Sequence, residues 1–236
     1  MMLWTFDAQD GGQDAKAAPP VIVDASDSHR VVAVGANFDL GDAAMGGVHR
    51  AIEGAKRIGA RAIFSGSGGA TRAWMHETRT VLDAACDGIL EELRERSIEW
   101  WMIPRVGDVL SDIPSSLGFL RSRQGQPFGL LLDPAALLTE SMLRHWVDHV
   151  ERSLEAIGAH EACRAIVLHN VGEQEGDSVD ARLALTGLEE GRLSGASLLS
   201  RAVEVPGERS LIVERRDVTE VRARLSMHDR PTTLPP

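Results

Sequence analysis

An apolar run that ends in a carboxylate constrains the fold of this chain more than any other feature. Residues 129–132 form a run without the alternation that marks a strand with one solvent-facing side. Such a run predicts a strand buried on both faces, which is typical of the parallel sheets of α/β proteins. Asp133 follows directly. It could be a turn residue or a functional group, because parallel sheets place their sites at the carboxyl ends of strands.

Strand and helix patterns alternate from Val31 onward, at a spacing of roughly 30 to 45 residues that is typical of successive βαβ units. Six strands satisfy a doubly wound sheet, whereas a (β/α)₈ barrel needs eight, so periodicity alone does not choose between them. If the sheet closes into a barrel, one side chain of the pair Trp100 and Trp101 points into its interior. The predicted strands are 31–34, 61–64, 98–103, 128–132, 163–169 and 210–214.

The segments between these strands also carry predictions. Residues 139–157 have an apolar stripe at helical spacing and predict one continuous helix. A poorer helix is predicted over 109–121, because Pro114 and Gly118 interrupt it. Residues 170–191 are polar and predict a long loop. Asp217, with Glu220 three residues later, predicts the cap of a final helix.

Composition narrows the classes of partner. The formal net charge of the 236 residues is −10, and no Lys/Arg block offsets it, so a nucleic acid partner is not expected. Two cysteines, Cys86 and Cys163, cannot form a disulfide framework, which favours a reducing cytoplasm. No apolar stretch is long enough for a membrane span, and no signal peptide is visible at the N-terminus. A cytoplasmic protein without a membrane partner is therefore predicted.

Three of the predicted strands end in side chains that can bind a divalent metal ion. These residues are Asp133, His169 and Glu214. Carboxylate and imidazole ligands together suit Mn²⁺, Mg²⁺, Co²⁺ or Zn²⁺, and such an ion polarises an oxygen of a bound sugar. Each residue alone could be structural. Their shared position at strand ends makes them the candidate metal ligands.

The order of these stretches resembles the xylose isomerase-like TIM barrels, the sugar phosphate isomerase/epimerase superfamily that includes endonuclease IV. The resemblance covers about residues 31–225, which would be strands three to eight. It implies a sugar-like small molecule as ligand, and it implies that Glu214 holds the metal or serves as the catalytic base. The stretches that carry it are 51–60, 128–133, 165–169, 190–199 and 211–214.

Departures from the family pattern concern the metal site. The family takes a Glu at the end of strand five, where this chain has Ile103, and often a His three residues after the strand-six Asp, where this chain has Ala136. Asp108 could approach from the following loop as a substitute. The sequence therefore predicts an isomerase/epimerase-like barrel with a degenerate, weakly binding metal site and little or no catalysis. The alternative is an active metal-dependent sugar isomerase or epimerase that abstracts a proton next to a carbonyl.

The predicted architecture is a TIM-barrel-like (β/α)₈ fold with strands three to eight recognisable and strands one and two reduced or missing. Residues 1–30 would form an abbreviated, partly flexible segment, 31–228 the barrel, and 229–236 a disordered tail. A barrel open at the N-terminal quarter would expose two sheet edges. Residues 3–6 and 21–23 would add there as short strands, or a second subunit would cover the gap in a homodimer.

Overall fold

Eight strands close into a barrel in this computed structural model, which describes residues 2–7, 21–36, 38, 44–68, 76–174, 182–207 and 209–228. Two further strands pair with each other outside the barrel. In chain order the strands are β1 (Met2–Asp7), β2 (Val21–Asp24), β3 (Asp27–Gly35), β4 (Ala62–Gly66), β5 (Glu99–Ile103), β6 (Phe128–Leu132), β7 (Cys163–Val167), β8 (Asn170–Gln174), β9 (Leu183–Thr186) and β10 (Ser210–Glu214). The barrel runs β1, β10, β7, β6, β5, β4, β3, β2 and back to β1, which confirms the predicted TIM-barrel-like class and excludes the doubly wound sheet.

Helices follow most of the barrel strands. Short 3₁₀ turns at Ala135–Leu137, Glu140–His145 and Arg215–Asp217 complete the connections, and a π-helical turn lies at Leu154–Gly158. Within the described ranges, no helix is both long and apolar enough to cross a bilayer. The α-helices are α1 (Ala44–Ile58), α2 (His76–Arg96), α3 (Ile113–Ser122), α4 (Trp146–Ser153), α5 (Gly195–Val203) and α6 (Val218–His228).

The N-terminal quarter differs from the parallel sheet that the sequence predicts. β2 runs antiparallel to both β1 and β3, while the other pairings around the barrel are parallel. Only Ala25 and Ser26 connect β2 to β3, and a two-residue connection can join strands only as a hairpin. Asp24 accepts hydrogen bonds from the N–H and hydroxyl of Ser26 and so stabilises the turn. A β-meander therefore replaces the first two βα units and closes the barrel.

This closure places β1 and β2 in the same barrel as the segment predicted for residues 31–228. The predicted short strands at 3–6 and 21–23 are thus part of the barrel wall. The sequence predicts the flexible stretch of the N-terminal segment from Asp7 to Pro20, but Asp7 ends β1. Residues 8–20 and the tail 229–236, predicted to be disordered, lie outside the described residues.

Two helix predictions need correction. α3 begins at Ile113 rather than near 109, because Asp112 caps it by accepting the N–H of Ser115 at 2.8 Å. Pro114 stands in the first turn, where its missing N–H costs nothing. The single helix predicted for 139–157 is instead a 3₁₀ turn, α4 and a π turn in series. An apolar stripe indicates that a segment is helical, but it does not distinguish between these three helical pitches.

The barrel interior is filled at its amino-terminal end. The interior cluster includes Trp4 and Trp101, whose rings stack with centroids 6.0 Å apart, while Trp100 belongs to the outer layer between the strands and the helices. The guanidinium of Arg61 lies 4.8 Å from the ring centroid of Trp4. Glu99 accepts the indole N–H of Trp101 at 2.6 Å. With this end packed, the cavity of the barrel lies at its carboxyl-terminal mouth.

Candidate functional site

Asp133 directly follows β6 and is only 1% exposed. Its Oδ1 accepts the N–H groups of Ala135 at 3.1 Å and Ala136 at 3.4 Å, so this oxygen starts the 3₁₀ turn after the strand. Its Oδ2 contacts His169 Nδ1 at 2.7 Å. Asp133 is therefore both a turn residue and a member of the site, and both of its oxygens are engaged.

His169 lies two residues beyond the end of β7 and is 15% exposed. The largest single influence on the pKa of His169 is burial, which lowers it. The charge and hydrogen bond of Asp133 raise the pKa, as do the charges of Glu214 and Asp217. Together these effects outweigh burial, so the pKa of His169 is raised above its ordinary value. With Nδ1 facing Asp133, the imidazole is fixed in orientation. The strand-end positions thus bring together two of the three predicted ligands, Asp133 and His169.

The pair makes stability depend on pH. Because the pKa of His169 is higher in the folded chain than its ordinary value of 6.5, the protonated imidazole favours the folded state. The contribution is full below that ordinary pKa and is lost as the pH rises through the raised pKa. We expect the unfolding free energy measured in urea between about pH 6 and about pH 9 to decline by a smaller amount in Asp133→Asn than in the native protein. Glu92→Gln is the control, since it breaks an exposed His–carboxylate pair with His49. An equal decline in Asp133→Asn and native protein would contradict this reasoning.

Glu214, the third predicted ligand, has a different partner. Its Oε2 lies 2.7 Å from Arg216 Nε, and Arg216 also binds Glu190. Over the residues that the structure describes, no group of three or more His, Cys, Asp or Glu side chains is arranged to hold a metal ion. Among the described residues, Asp133, His169 and Glu214 are therefore not grouped as a set of metal ligands, and the carboxylate of Glu214 is paired with a guanidinium.

A cavity of about 440 Å³ opens at the mouth of the barrel, and we call it the mouth cavity. Ile103, at the end of β5, lies in its wall, so the position of the family's glutamate is apolar here. Asp108 also lines the cavity, although it lies in the loop beyond β5 and not on the strand. Burial raises the pKa of Asp108 against the opposing effects of Arg182 and Arg105. The described lining includes Ile103, Arg105, Asp108, Asp133, His169 and Arg182.

The segment predicted as a loop over 170–191 contains a hairpin of β8 and β9, with 175–181 outside the described residues. Asn170, which is fully buried, starts β8 and donates to the carbonyls of Leu188 and Leu193 at 2.7 and 2.8 Å. Asp217 accepts the N–H of Leu188 at 3.0 Å instead of acting in the predicted capping box. Sequence reasoning missed these anchors, because they depend on contacts between distant segments and carry no local pattern.

Comparison with known proteins gives matches in structure and none in sequence. No protein-family model matches the chain, and no curated protein matches it. A xylose isomerase domain protein from Planctomyces limnophilus matches with a TM-score of 0.58 at 14% identity, over 84% of this chain and 75% of that one. A D-tagatose 3-epimerase-like protein matches with a TM-score of 0.57 at 15% identity, over 83% and 76%. Endonuclease IV from Thermus thermophilus matches with a TM-score of 0.55 at 15% identity, over 83% and 76%.

This chain has the xylose isomerase-like TIM-barrel fold. The resemblance inferred from the sequence is confirmed at the level of fold by these structures. Within the xylose isomerase-like barrel, Asp133, His169 and Glu214 all follow or end parallel strands at the mouth. The pairing of Glu214 with Arg216 and the apolar Ile103 are features of this chain, and they bear on what the barrel can do.

Proposed function

We propose that this protein binds a sugar-like small molecule at the mouth of its barrel and that its divalent-metal site is degenerate, with weak or absent isomerase catalysis. One observation carries the proposal: both oxygens of Asp133 are engaged, by the N–H groups of Ala135 and Ala136 and by His169. A metal ion at Asp133 would have to share an oxygen with one of these hydrogen bonds or displace it. The matched structures include proteins named for sugar isomerisation and epimerisation, which supports a polyol-like ligand.

The residues present can bind and orient a ligand. The mouth cavity has the volume of a site for a small molecule and is lined by both apolar and charged groups. The imidazole of His169 is held by Asp133 and can exchange a hydrogen bond or a proton with a hydroxyl group that reaches it. Proton abstraction next to a carbonyl also needs a second positioned group. Ile103 cannot supply it from the end of β5.

The alternative is an active, metal-dependent sugar isomerase or epimerase, in which Glu214 serves as ligand or base. It is favoured by the arrangement of Asp133, His169 and Glu214 at the same end of three neighbouring parallel strands. This alternative requires Glu214 to leave Arg216 and Asp133 to share its Oδ2 between His169 and the ion.

Metal titration separates the two functions. In calorimetry with Mn²⁺, Co²⁺ and Zn²⁺, we expect weak and exchangeable binding that is abolished in Asp133→Ala. Asp148→Ala is the matched control, since it removes an exposed carboxylate from α4. A screen of ketoses and their phosphates should show little turnover. Tight stoichiometric metal in the native protein, or rapid epimerisation of any sugar, would overturn the degenerate site and favour the enzyme.

The remaining expectations about partners follow from charge and fold. A chain with net charge −10 should not bind nucleic acid, even though endonuclease IV shares the fold. A cytoplasmic location without a membrane partner stays a prediction. The homodimer is an expectation that assumes an open barrel with exposed edges; since β1 and β2 close the barrel, a second subunit would need a different contact surface.

A further inference from the structure

A second cavity, of about 120 Å³, lies at the end of the barrel opposite the mouth, and we call it the basal pocket. Met2 begins β1 and Arg61 directly precedes β4, so the pocket lies at the amino-terminal ends of these strands. Arg30, from β3, is the second arginine in its wall. Two guanidinium groups therefore line one small cavity. Its described lining includes Met2, Trp4, Asp24, Arg30, Gly59 and Arg61.

The backbone of Arg61 is held between two neighbouring strands. Its N–H donates to the carbonyl of Val32 at 3.1 Å, and its carbonyl accepts the N–H of Glu99 at 3.1 Å. Gly59, just beyond the end of α1, has a φ of +71°, and a Cβ there would meet no atom within 4 Å. The turn after α1 therefore leads directly to Arg61 and leaves open space beside the pocket.

Aromatic rings position the guanidinium of Arg61. Its Cζ lies 4.8 Å from the ring centroid of Trp4 and 5.3 Å from that of Trp101, and the two rings are parallel within 4°. Contact with an aromatic face does not use the five N–H donors of a guanidinium, which lie in its plane. Among the described residues, none forms a hydrogen bond or an ion pair with this guanidinium. A positioned cation thus keeps its donors available to a ligand.

The charges around Arg61 favour an added anion. Burial lowers the pKa of Arg61 below its ordinary value, and the charges of Arg30 and Arg164 lower it further, while the charge of Glu99 opposes them. Glu99 already accepts the indole N–H of Trp101 and two N–H groups of Arg164. A partly buried cation with like charges nearby is stabilised by an anion that contacts it directly.

Arg30 is the second cation of the pocket, and its ion pair is loose. Its Nη1 lies 3.8 Å from Oδ2 of Asp24, which is longer than a hydrogen bond, and its side chain is 70% exposed. Asp24 also accepts the N–H and the hydroxyl of Ser26 and so belongs to the turn between β2 and β3. Among the described lining residues, two guanidinium groups stand against this one carboxylate, in a chain whose net charge is −10.

We propose that the basal pocket binds a compact oxyanion, a phosphate or carboxylate group, through the guanidinium donors of Arg61 and Arg30. The planar donor fork of arginine matches the oxygens of both groups. The pocket is smaller than the cavities of about 300–1,000 Å³ that hold larger ligands, so it suits a small group. Because it lies at the other end of the barrel, the site is independent of the function proposed for the mouth.

Titration of the whole protein with inorganic phosphate and with acetate tests the proposal. In calorimetry at constant ionic strength, set with NaCl, we expect saturable binding of at least one of these ions. The ion that binds more tightly identifies the group as phosphate or carboxylate. The same ion should raise the melting temperature, since it binds the folded chain. If neither ion showed saturable binding to the native protein, the proposal would be overturned.

Variants assign the binding to the arginines. Arg61→Gln should weaken binding of the tighter ion at least about tenfold, because both the charge and the donors are lost. Arg30→Gln should weaken it less, by at least about twofold, because this side chain is exposed. Arg57→Gln is the matched control, since it removes an exposed arginine from the last turn of α1 that does not line the pocket. We expect its affinity to stay within about twofold of the native value.

The comparison of these variants separates a built site from general attraction of anions. Equal weakening in Arg61→Gln and Arg57→Gln would mean that net charge alone attracts the ion, which would overturn the proposal. Affinity that Arg61→Gln leaves intact would overturn it as well. Thermal melts without the ions establish that each variant is folded. If Arg61→Gln does not fold, Arg61→Lys and Arg57→Lys replace the pair, because both keep the charge and only the first removes the donor fork from the pocket.

Discussion

The variant Ile103→Glu should bind Mn²⁺ at least about tenfold more tightly than the native protein, because it adds a carboxylate ligand and a negative charge at the mouth. Ile103 ends β5 and lines the same cavity as Asp133 and His169. An ion held there would also compete with the hydrogen bonds that now engage Asp133. Calorimetric titration of the two proteins in parallel measures the difference.

A matched control distinguishes ligation from added charge. Leu185 lines the same cavity but belongs to β9, outside the barrel, so Leu185→Glu introduces the same charge away from the strand end. We expect little gain in Mn²⁺ affinity in that variant. Equal gains in both variants would mean that charge alone attracts the ion, and no gain in Ile103→Glu would show that the strand-five position is unrelated to metal binding.

The variant Trp101→Ala should lose about 3–5 kcal/mol of unfolding free energy, because it empties the amino-terminal end of the barrel interior. Trp101 is 1% exposed, stacks on Trp4 and donates its indole N–H to Glu99. Its removal leaves a cavity and also takes one hydrogen-bond donor from Glu99, whose carboxylate still accepts from the guanidinium of Arg164. Urea unfolding followed by circular dichroism measures the loss.

Trp146→Ala serves as the comparison for this variant. Trp146 begins α4 and is only partly buried against the outer layer, so its truncation should cost clearly less. If the two variants lost equal free energy, or if Trp101→Ala lost less than about 1 kcal/mol, the packed interior would not be the main source of the barrel's stability.

The parts of the fold that the sequence predicted are those controlled by local pattern. The apolar run before Asp133 requires burial on both faces. Burial on both faces is typical of a parallel strand in an α/β protein, so the run alone predicts that strand. Asp133 and His169 meet because parallel strands bring their carboxyl ends to one edge. The direction of β2 could not be predicted in this way, since the three residues 21–23 look the same in either direction.

The charged side of the mouth is harder to predict. The sequence suggests Asp108 only as a substitute for a missing ligand, and Arg105 and Arg182 carry no motif at all. Their placement depends on Gly66 and Gly107, which make room for side chains that come from distant parts of the chain. Neither close approach leaves a signature in hydrophobic periodicity. The ion pair between Glu214 and Arg216 is equally hard to predict, because it depends on the rotamers of two side chains at the surface.

The reversed strand β2 changes where new sequence can enter this protein during evolution. In a regular barrel each strand is followed, at the mouth, by a connection to a helix. Here the chain leaves β1 at Asp7 and enters β2 at Val21. These two residues pair with each other at the mouth end of the barrel. An insertion between them therefore adds chain at the mouth end of the barrel without shifting any of the helices α1 to α6. The opposite hairpin, at Ala25 and Ser26, lies at the packed end, where added residues would leave the mouth unaltered. The meander thus gives this barrel a position at the mouth, between Asp7 and Val21, where the length of the chain can vary independently of the helices α1 to α6.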